Sequence, residues 1–160
     1  MGNTALILLG NKLIARPGLI IMSLSKPVSP TGSYIMILPD NVCEDKDERV
    51  ASYWLPGQEV LLQTSSYTRT EGKQVSANER LKARLAKENL SDVKNGNVSI
   101  NSCPDCASMS GIDDKGCHWL FCYAVWQDLA ILVTISGQPD ELAQNGAWAF
   151  DGLKSILRAG

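Results

Sequence analysis

Four of the five cysteines in this chain lie between residues 103 and 122, and they are the residues best suited to chemistry. Cys103 and Cys106 form a C-x-x-C pair. This spacing brings two sulfurs within reach of one metal ion, and it also allows a dithiol and a disulfide to interconvert. With the next two thiols the pattern extends to a candidate structural zinc site made of Cys103, Cys106, Cys117 and Cys122.

A simpler interpretation of these cysteines needs neither a metal nor redox chemistry. Cys117 and Cys122 are five residues apart in a predicted strand and therefore point to opposite faces, so only one or two of them can join a zinc site. Thioredoxin-type activity requires a helix after the first cysteine, and none is predicted after Cys103. Since free cysteine is among the most buried residue types, we expect small buried thiols and no cofactor. Zinc binding and thiol redox activity are the alternatives.

The other residues with chemical potential do not form a catalytic set. His118 is the sole histidine, so a site with two imidazoles is excluded within one chain. Asp113 and Asp114 lie in a glycine-flanked polar loop over residues 111–116, where a hairpin turn explains them as well as a metal or a substrate does. The chain has no nucleophile elbow, Walker loop or dinucleotide-binding glycine pattern. We therefore expect no catalytic residue and no enzyme activity. A ligand pocket between sheet and helix, containing Asp113, Asp114 or His118, is a further alternative.

Two further groups of residues are candidates for a binding surface. Basic residues share one side of a predicted helix, where they can contact phosphate or simply face solvent. Tryptophans, if exposed, would indicate a protein interface, because aromatic residues are enriched there; otherwise they belong to the core. The basic residues are Arg80, Lys82, Arg84 and Lys87, and the tryptophans are Trp54, Trp126 and Trp148.

Length and charge narrow the class of protein. A chain of 160 residues is expected to form one domain. Its net charge of −2 gives no field that would attract nucleic acid or an anionic membrane. Five cysteines are an odd number, which favours a reducing cytoplasm over a secreted setting. We therefore expect a cytoplasmic protein that binds neither nucleic acid nor membrane.

The N-terminus tests this expectation because it is apolar. Residues 5–9 and 19–22 are apolar, but Lys12, Arg16, Pro17 and Gly18 interrupt them, so the run falls short of the roughly 20 residues that span a bilayer. The charges follow the first apolar run, unlike those of a secretory signal. We interpret residues 1–33 as an extension and loop, and residues 34–160 as a single domain.

The stretch that must organise this domain is residues 117–136, which predicts a β-hairpin turning at Gln127-Asp128. Apolar residues occupy both alternating sets of its first strand, so both sheet faces should be covered. Residues 34–38 predict an earlier strand, and residues 53–55 and 59–68 predict a second hairpin. The acidic residues 40–49 predict a solvated loop.

The remaining elements are two helices and a broken strand. Ser76 and Glu79 fit a capping box that begins a helix over residues 77–89, with Ala77, Leu81 and Leu85 buried. Residues 98–110 predict a strand broken at Pro104. Residues 140–157 predict a last helix whose apolar stripe is Ala147, Phe150, Leu153 and Leu157. Antiparallel strands interrupted by two helices predict an α+β fold, in which the helices cover the sheet.

This order resembles the PsbP-like and DcrB-like α/β/α sandwich. The segments that carry the resemblance are Ile37-Leu38-Pro39, residues 60–67, 77–89 and 117–136, and the closing Phe150-Asp-Gly-Leu-Lys-Ser-Ile156. The resemblance implies a non-catalytic binding domain, since members of that fold act as extrinsic subunits of photosynthetic complexes, binders of small GTPases or chaperones of type VI secretion effectors. We therefore expect a bacterial adaptor, secretion chaperone or immunity-like protein whose partner is another protein.

Overall fold

Three antiparallel sheets, of seven, three and two strands, and three helices make up the part of the chain that the structure describes. The computed structural model describes residues 24–100 and 102–160, together with the backbone pairing of two short strands near the N-terminus. The elements are β1 (Leu6–Leu9), β2 (Lys12–Ala15), β3 (Ser25–Val28), β4 (Tyr34–Pro39), β5 (Cys43–Lys46), β6 (Ala51–Trp54), β7 (Leu61–Thr68), α1 (Ala77–Leu85), β8 (Ser91–Asn95), β9 (Asp105–Ile112), β10 (His118–Val125), β11 (Leu129–Gly137), α2 (Pro139–Asn145), α3 (Ala147–Lys154) and β12 (Leu157–Arg158).

The larger sheet has the antiparallel order β5-β6-β7-β11-β10-β9-β8, and the smaller one has the order β12-β4-β3. The β1 and β2 strands pair with each other. Apart from that pairing, the expected N-terminal extension lies outside the described residues up to residue 23, and its boundary at residue 33 stays a prediction. Among the described residues, no helix has both the length and the apolar character needed to cross a bilayer.

The central hairpin of β10 and β11 is covered on both faces, as its sequence predicts. Leu120, Cys122 and Ala124 join a cluster that β4 and α3 complete on one side of the sheet. Phe121 and Tyr123 join a second cluster beneath α1 on the other side. Because strand side chains alternate between faces, one strand contributes to two cores, and the α+β sandwich with a helix on each side is confirmed.

Two segments predicted as loops are strands. The acidic segment contributes β5, which pairs with β6 through Glu44↔Tyr53 and Asp45↔Ser52. The predicted loop over residues 23–33 contributes β3, which pairs with β4. Both are edge strands, whose backbone hydrogen bonds hold them although few of their side chains are buried.

The last helix is also shorter and more broken than predicted. Gly146 ends α2, where its N–H donates to the Leu142 carbonyl at 3.0 Å, and it begins α3, because the Ala149 N–H donates to the Gly146 carbonyl at 3.0 Å. The buried face of α3 consists of Ala149, Gly152 and Leu153. Ala147 is exposed and Leu157 lies in β12, 54% exposed, so the predicted stripe is wrong at these two positions.

Candidate functional site

Three of the four cysteines predicted as candidate zinc ligands lie on the same face of the larger sheet. Cys106 is opposite Ala124, and Cys122 is opposite Ser108, so these two cysteines are diagonal neighbours across β9 and β10. Their Sγ atoms are 3.5 Å apart. Cys103 precedes β9 and packs against the same apolar cluster. We call Cys103, Cys106 and Cys122 the thiol cluster.

Cys117 does not belong to the thiol cluster. It comes just before β10, five residues from Cys122, and at about 3.3 Å per residue along an extended strand the two are roughly 16 Å apart. The four thiols therefore do not converge on one point. Over residues 24–100 and 102–160, no group of three or more His, Cys, Asp or Glu side chains is placed to hold a metal ion.

Within the thiol cluster the three sulfurs have different environments. Cys122 is fully buried, and the hydrogen bond it shares with Cys106, together with burial, raises the pKa of its thiol. The same hydrogen bond lowers the pKa of Cys106, because a thiolate there accepts the Cys122 S–H. Burial raises the pKa of Cys103, whose thiol donates to the Asp105 carbonyl at 3.0 Å. The acidic member of the cluster is thus Cys106.

Asp113 holds the hairpin turn that leads into β10. Its Oδ1 accepts the N–H groups of Lys115 and Cys117, both at 2.9 Å, and its Oδ2 accepts the Trp119 Nε1–H at 2.9 Å. The Trp119 hydrogen bond is the main reason why the pKa of Asp113 is lowered. This carboxylate therefore has a complete structural role in the turn.

The predicted tryptophans are not the most exposed aromatic residues. Trp126 is 7% exposed, and its Nε1–H donates to the Ser102 carbonyl at 3.2 Å, while Trp54 and Trp148 are half-buried. By contrast, Tyr67 near the end of β7 is 47% exposed. Tyr67 was not among the predicted site residues; the sequence shows that it lies near the end of a strand, but not that this end meets the basic helix.

Tyr67 lies at the mouth of a groove between the sheet and α1, with a volume of about 380 Å³. Val75, 38% exposed, lines it from the loop before the helix. The groove combines two aromatic rings, an aliphatic side chain and three basic residues, and we call it the α1 groove. These lining residues are Tyr67, Val75, Arg80, Arg84, Lys87 and Tyr123.

The helix that carries the basic residues is fixed at its N-terminus. The capping box is confirmed, with the Ser76 hydroxyl accepting the Glu79 N–H and the Glu79 carboxylate accepting the Ser76 N–H. The Ala77 N–H donates to the Asp105 Oδ2 at 2.8 Å, which ties α1 to β9. Ala77 and Leu81 are buried, so the opposite side of α1 faces the groove and solvent.

Local partners orient the arginines of the α1 groove. Arg80 donates to the Gln74 Oε1 at 2.8 Å, and Arg84 forms an ion pair with Glu88 at 2.8 Å. Glu79 also lines the groove, so the three basic groups outnumber the two nearby carboxylates, Glu79 and Glu88, and the local charge is positive. An acidic ligand fits this charge.

Solved structures show which fold these elements make. The solution structure of cyanobacterial PsbP (CyanoP) from Synechocystis sp. PCC 6803 aligns with a TM-score of 0.59, at 12% identity, over 88% of this chain and 95% of that protein. The chain has a PsbP-like fold. The expected PsbP-like sandwich is thereby confirmed, and at this level of identity the likeness establishes the fold alone.

A second structural neighbour is larger than this chain. A crystal structure from Bacteroides thetaiotaomicron VPI-5482 aligns with a TM-score of 0.55, at 14% identity, over 81% of this chain but 46% of that protein. The chain therefore spans just under half the length of that neighbour. No protein-family model and no curated protein matches the chain.

Proposed function

We propose that this chain is a non-catalytic protein-binding domain of bacterial type, acting in the cytoplasm as an adaptor, secretion chaperone or immunity-like protein. The observation that carries the proposal is the α1 groove. Tyrosine and arginine are enriched among the residues that dominate protein interfaces. The groove brings the exposed Tyr67 together with Arg80 and Arg84, above the largely buried Tyr123.

The occupant that fits this groove is an acidic segment of another protein with at least one apolar side chain. Lys87 is exposed, and Arg84 is exposed although it pairs with Glu88, so both provide positive charge for carboxylates. An arginine guanidinium donates two parallel hydrogen bonds to a carboxylate. Tyr67 and Val75 provide apolar contact area. The net charge of −2 weighs against nucleic acid and anionic membranes, since the basic surface is local.

Two features support a binding role over an enzymatic one. Asp113 uses both carboxylate oxygens to hold its turn. His118, the sole histidine, is the first residue of β10. The side chains of its chain neighbours point to the opposite face of the strand, so they do not form a pair with it. Neither residue is therefore given a catalytic role in this proposal.

The proposal is tested with a fluorescein-labelled peptide rich in glutamate and containing leucine and tyrosine, using anisotropy to measure Kd. Its control peptide carries glutamine at every glutamate. We expect the acidic peptide to bind and the neutral one to bind at least roughly tenfold more weakly, a difference of about 1.4 kcal/mol.

The matched protein variants are Tyr67→Ala and Lys87→Glu in the groove. The control is Lys115→Glu in the β9–β10 turn, which does not line the groove. All three positions are exposed, so folding should not change. Each groove variant should weaken binding by roughly tenfold, as expected for an interface hot spot, and the control should not. Equal binding by all variants, or by both peptides, would refute the α1 groove as the site.

A further inference from the structure

The thiol cluster has a geometry that the binding proposal does not use. Cys106 is partly exposed, whereas Cys122 is fully buried directly beside it. Only Cys106 of this pair can meet a reagent from solvent. The 3.5 Å contact between the two sulfurs makes one thiol a hydrogen-bond donor to the other.

We propose that Cys106 is a reactive thiolate that exchanges with low-molecular-weight disulfides, that Cys122 donates a hydrogen bond to it, and that Cys103 closes a disulfide with it. This activity is separate from binding in the α1 groove. The three thiols that the fold places on one face thus have three different roles.

The sheet register explains why Cys103, and not Cys122, is the resolving thiol. Diagonal neighbours across an antiparallel pair lie about 7–8 Å apart, beyond the roughly 4.4–6.8 Å between Cα atoms that an unstrained disulfide spans. A bond between Cys106 and Cys122 would therefore strain β9 and β10. Cys103 comes before β9 and only two residues separate it from Cys106, which is a spacing that disulfides bridge.

The reaction balances with a disulfide RSSR as the oxidant. The Cys106 thiolate attacks one sulfur of RSSR, forming a mixed disulfide and releasing one RS⁻. Cys103 then loses its proton to solvent and its thiolate attacks the Cys106 sulfur, releasing the second RS⁻. Two protein thiols are oxidised to one disulfide, and RSSR is reduced to two thiols.

The hydrogen bond from Cys122 favours this reaction because it stabilises the charged nucleophile. The pKa of Cys106 is lowered by this contact, whereas the pKa of Cys117 is raised by burial and by the charge of Asp113. Since a thiol that is one pKa unit more acidic has up to about tenfold more thiolate at neutral pH, Cys106 should outpace Cys117, which is also partly exposed.

The test measures iodoacetamide alkylation of each cysteine at pH 7 by peptide mass spectrometry. We expect Cys106 to react roughly tenfold faster than Cys117 in the same molecule. Cys122→Ala should slow Cys106 by a similar factor, and Cys122→Ser, which keeps a donor, should restore most of the rate. A purely structural role for Cys122 would not be rescued by serine. Equal rates for Cys106 and Cys117 would overturn the proposal, even if a Cys122 variant failed to fold.

A second measurement identifies the resolving thiol. After incubation with oxidised glutathione, the wild-type protein should contain a disulfide between Cys103 and Cys106, and Cys103→Ser should accumulate glutathione on Cys106. Cys117→Ser is the control and should behave as wild type. Glutathione spread equally over all cysteines, or its absence from Cys106 in Cys103→Ser, would contradict the assigned roles.

Discussion

Replacing Tyr34 by phenylalanine should reveal how β4 is held against the larger sheet. Tyr34 is fully buried, and its hydroxyl donates to the Thr64 Oγ1 at 2.7 Å across to β7. Removing one partner of a buried hydrogen bond costs about 1–2 kcal/mol. At about 2–4 °C per kcal/mol for a chain of this size, Tyr34→Phe should lower Tm by roughly 2–8 °C.

The stability difference between wild type and Tyr34→Phe should decrease as the pH rises above 10. Burial raises the pKa of Tyr34 from 10.0 to about 12. The folded state therefore keeps the phenol proton longer than the unfolded state does. The stability that this provides is fully present below pH 10 and is lost as the pH rises towards 12. With about 1.4 kcal/mol per pKa unit, the loss is about 1.4 kcal/mol by pH 11 and approaches 2.7 kcal/mol at still higher pH.

Since phenylalanine has no proton to lose, the advantage of the wild-type protein should shrink above pH 10 and vanish near pH 11. Urea denaturation of both proteins from pH 7 to 11.5, in the presence of reductant, measures this directly. Tyr67→Phe, at an exposed position, is the control and should stay within about 0.5 kcal/mol of wild type. A difference between wild type and Tyr34→Phe that is constant across this range would refute the reasoning.

Three further substitutions test other contacts by thermal and urea unfolding. Gly152→Ala places a Cβ 2.5 Å from the buried Leu38 Cδ2, and overpacking of about 1–3 kcal/mol should exceed the gain of about 1 kcal/mol in helix propensity; a stabilised variant would contradict this. Ser76→Ala removes the helix cap and should cost about 1 kcal/mol, whereas no loss would exclude the capping box. Asp113→Asn should weaken the contact with Trp119: because the Asp113 pKa is lowered in the folded state, the stability it provides is lost as the pH falls, and the variant should lose less stability than wild type on acidification.

The sequence predicted the centre of the fold because burial there leaves a readable pattern. Both alternating sets of β10 are apolar, and each set joins its own core. The edge strands leave no such pattern. All five residues of β8 are exposed, so backbone pairing with β9 holds this strand in place, and the types of its side chains do not reveal it.

The candidate sites were harder to predict than the fold because they depend on register. Cys106 and Cys122 were identified as candidates, but their contact requires Cys106 to lie opposite Ala124. A shift of one residue would place the two sulfurs on opposite faces of the sheet. The α1 groove likewise joins Tyr67 of β7 to a helix that packs on β9 and β10, with β11 between them in the sheet. Spacing along the chain does not predict this contact.

The α1 groove and the thiol cluster lie on opposite faces of the same strands, and adjacent residues of β10 belong to each of them. Tyr123 lines the α1 groove, while the next residue back, Cys122, contacts Cys106. Asp105, beside Cys106 in β9, accepts the N–H of Ala77 at the start of α1. Any change of backbone that accompanies a disulfide at Cys106 would therefore reach α1 through this hydrogen bond and through the β9 and β10 side chains that pack beneath the helix. Peptide affinity in the groove is accordingly meaningful only at a defined oxidation state, and its value in the reduced and the disulfide form measures how strongly the two faces are coupled.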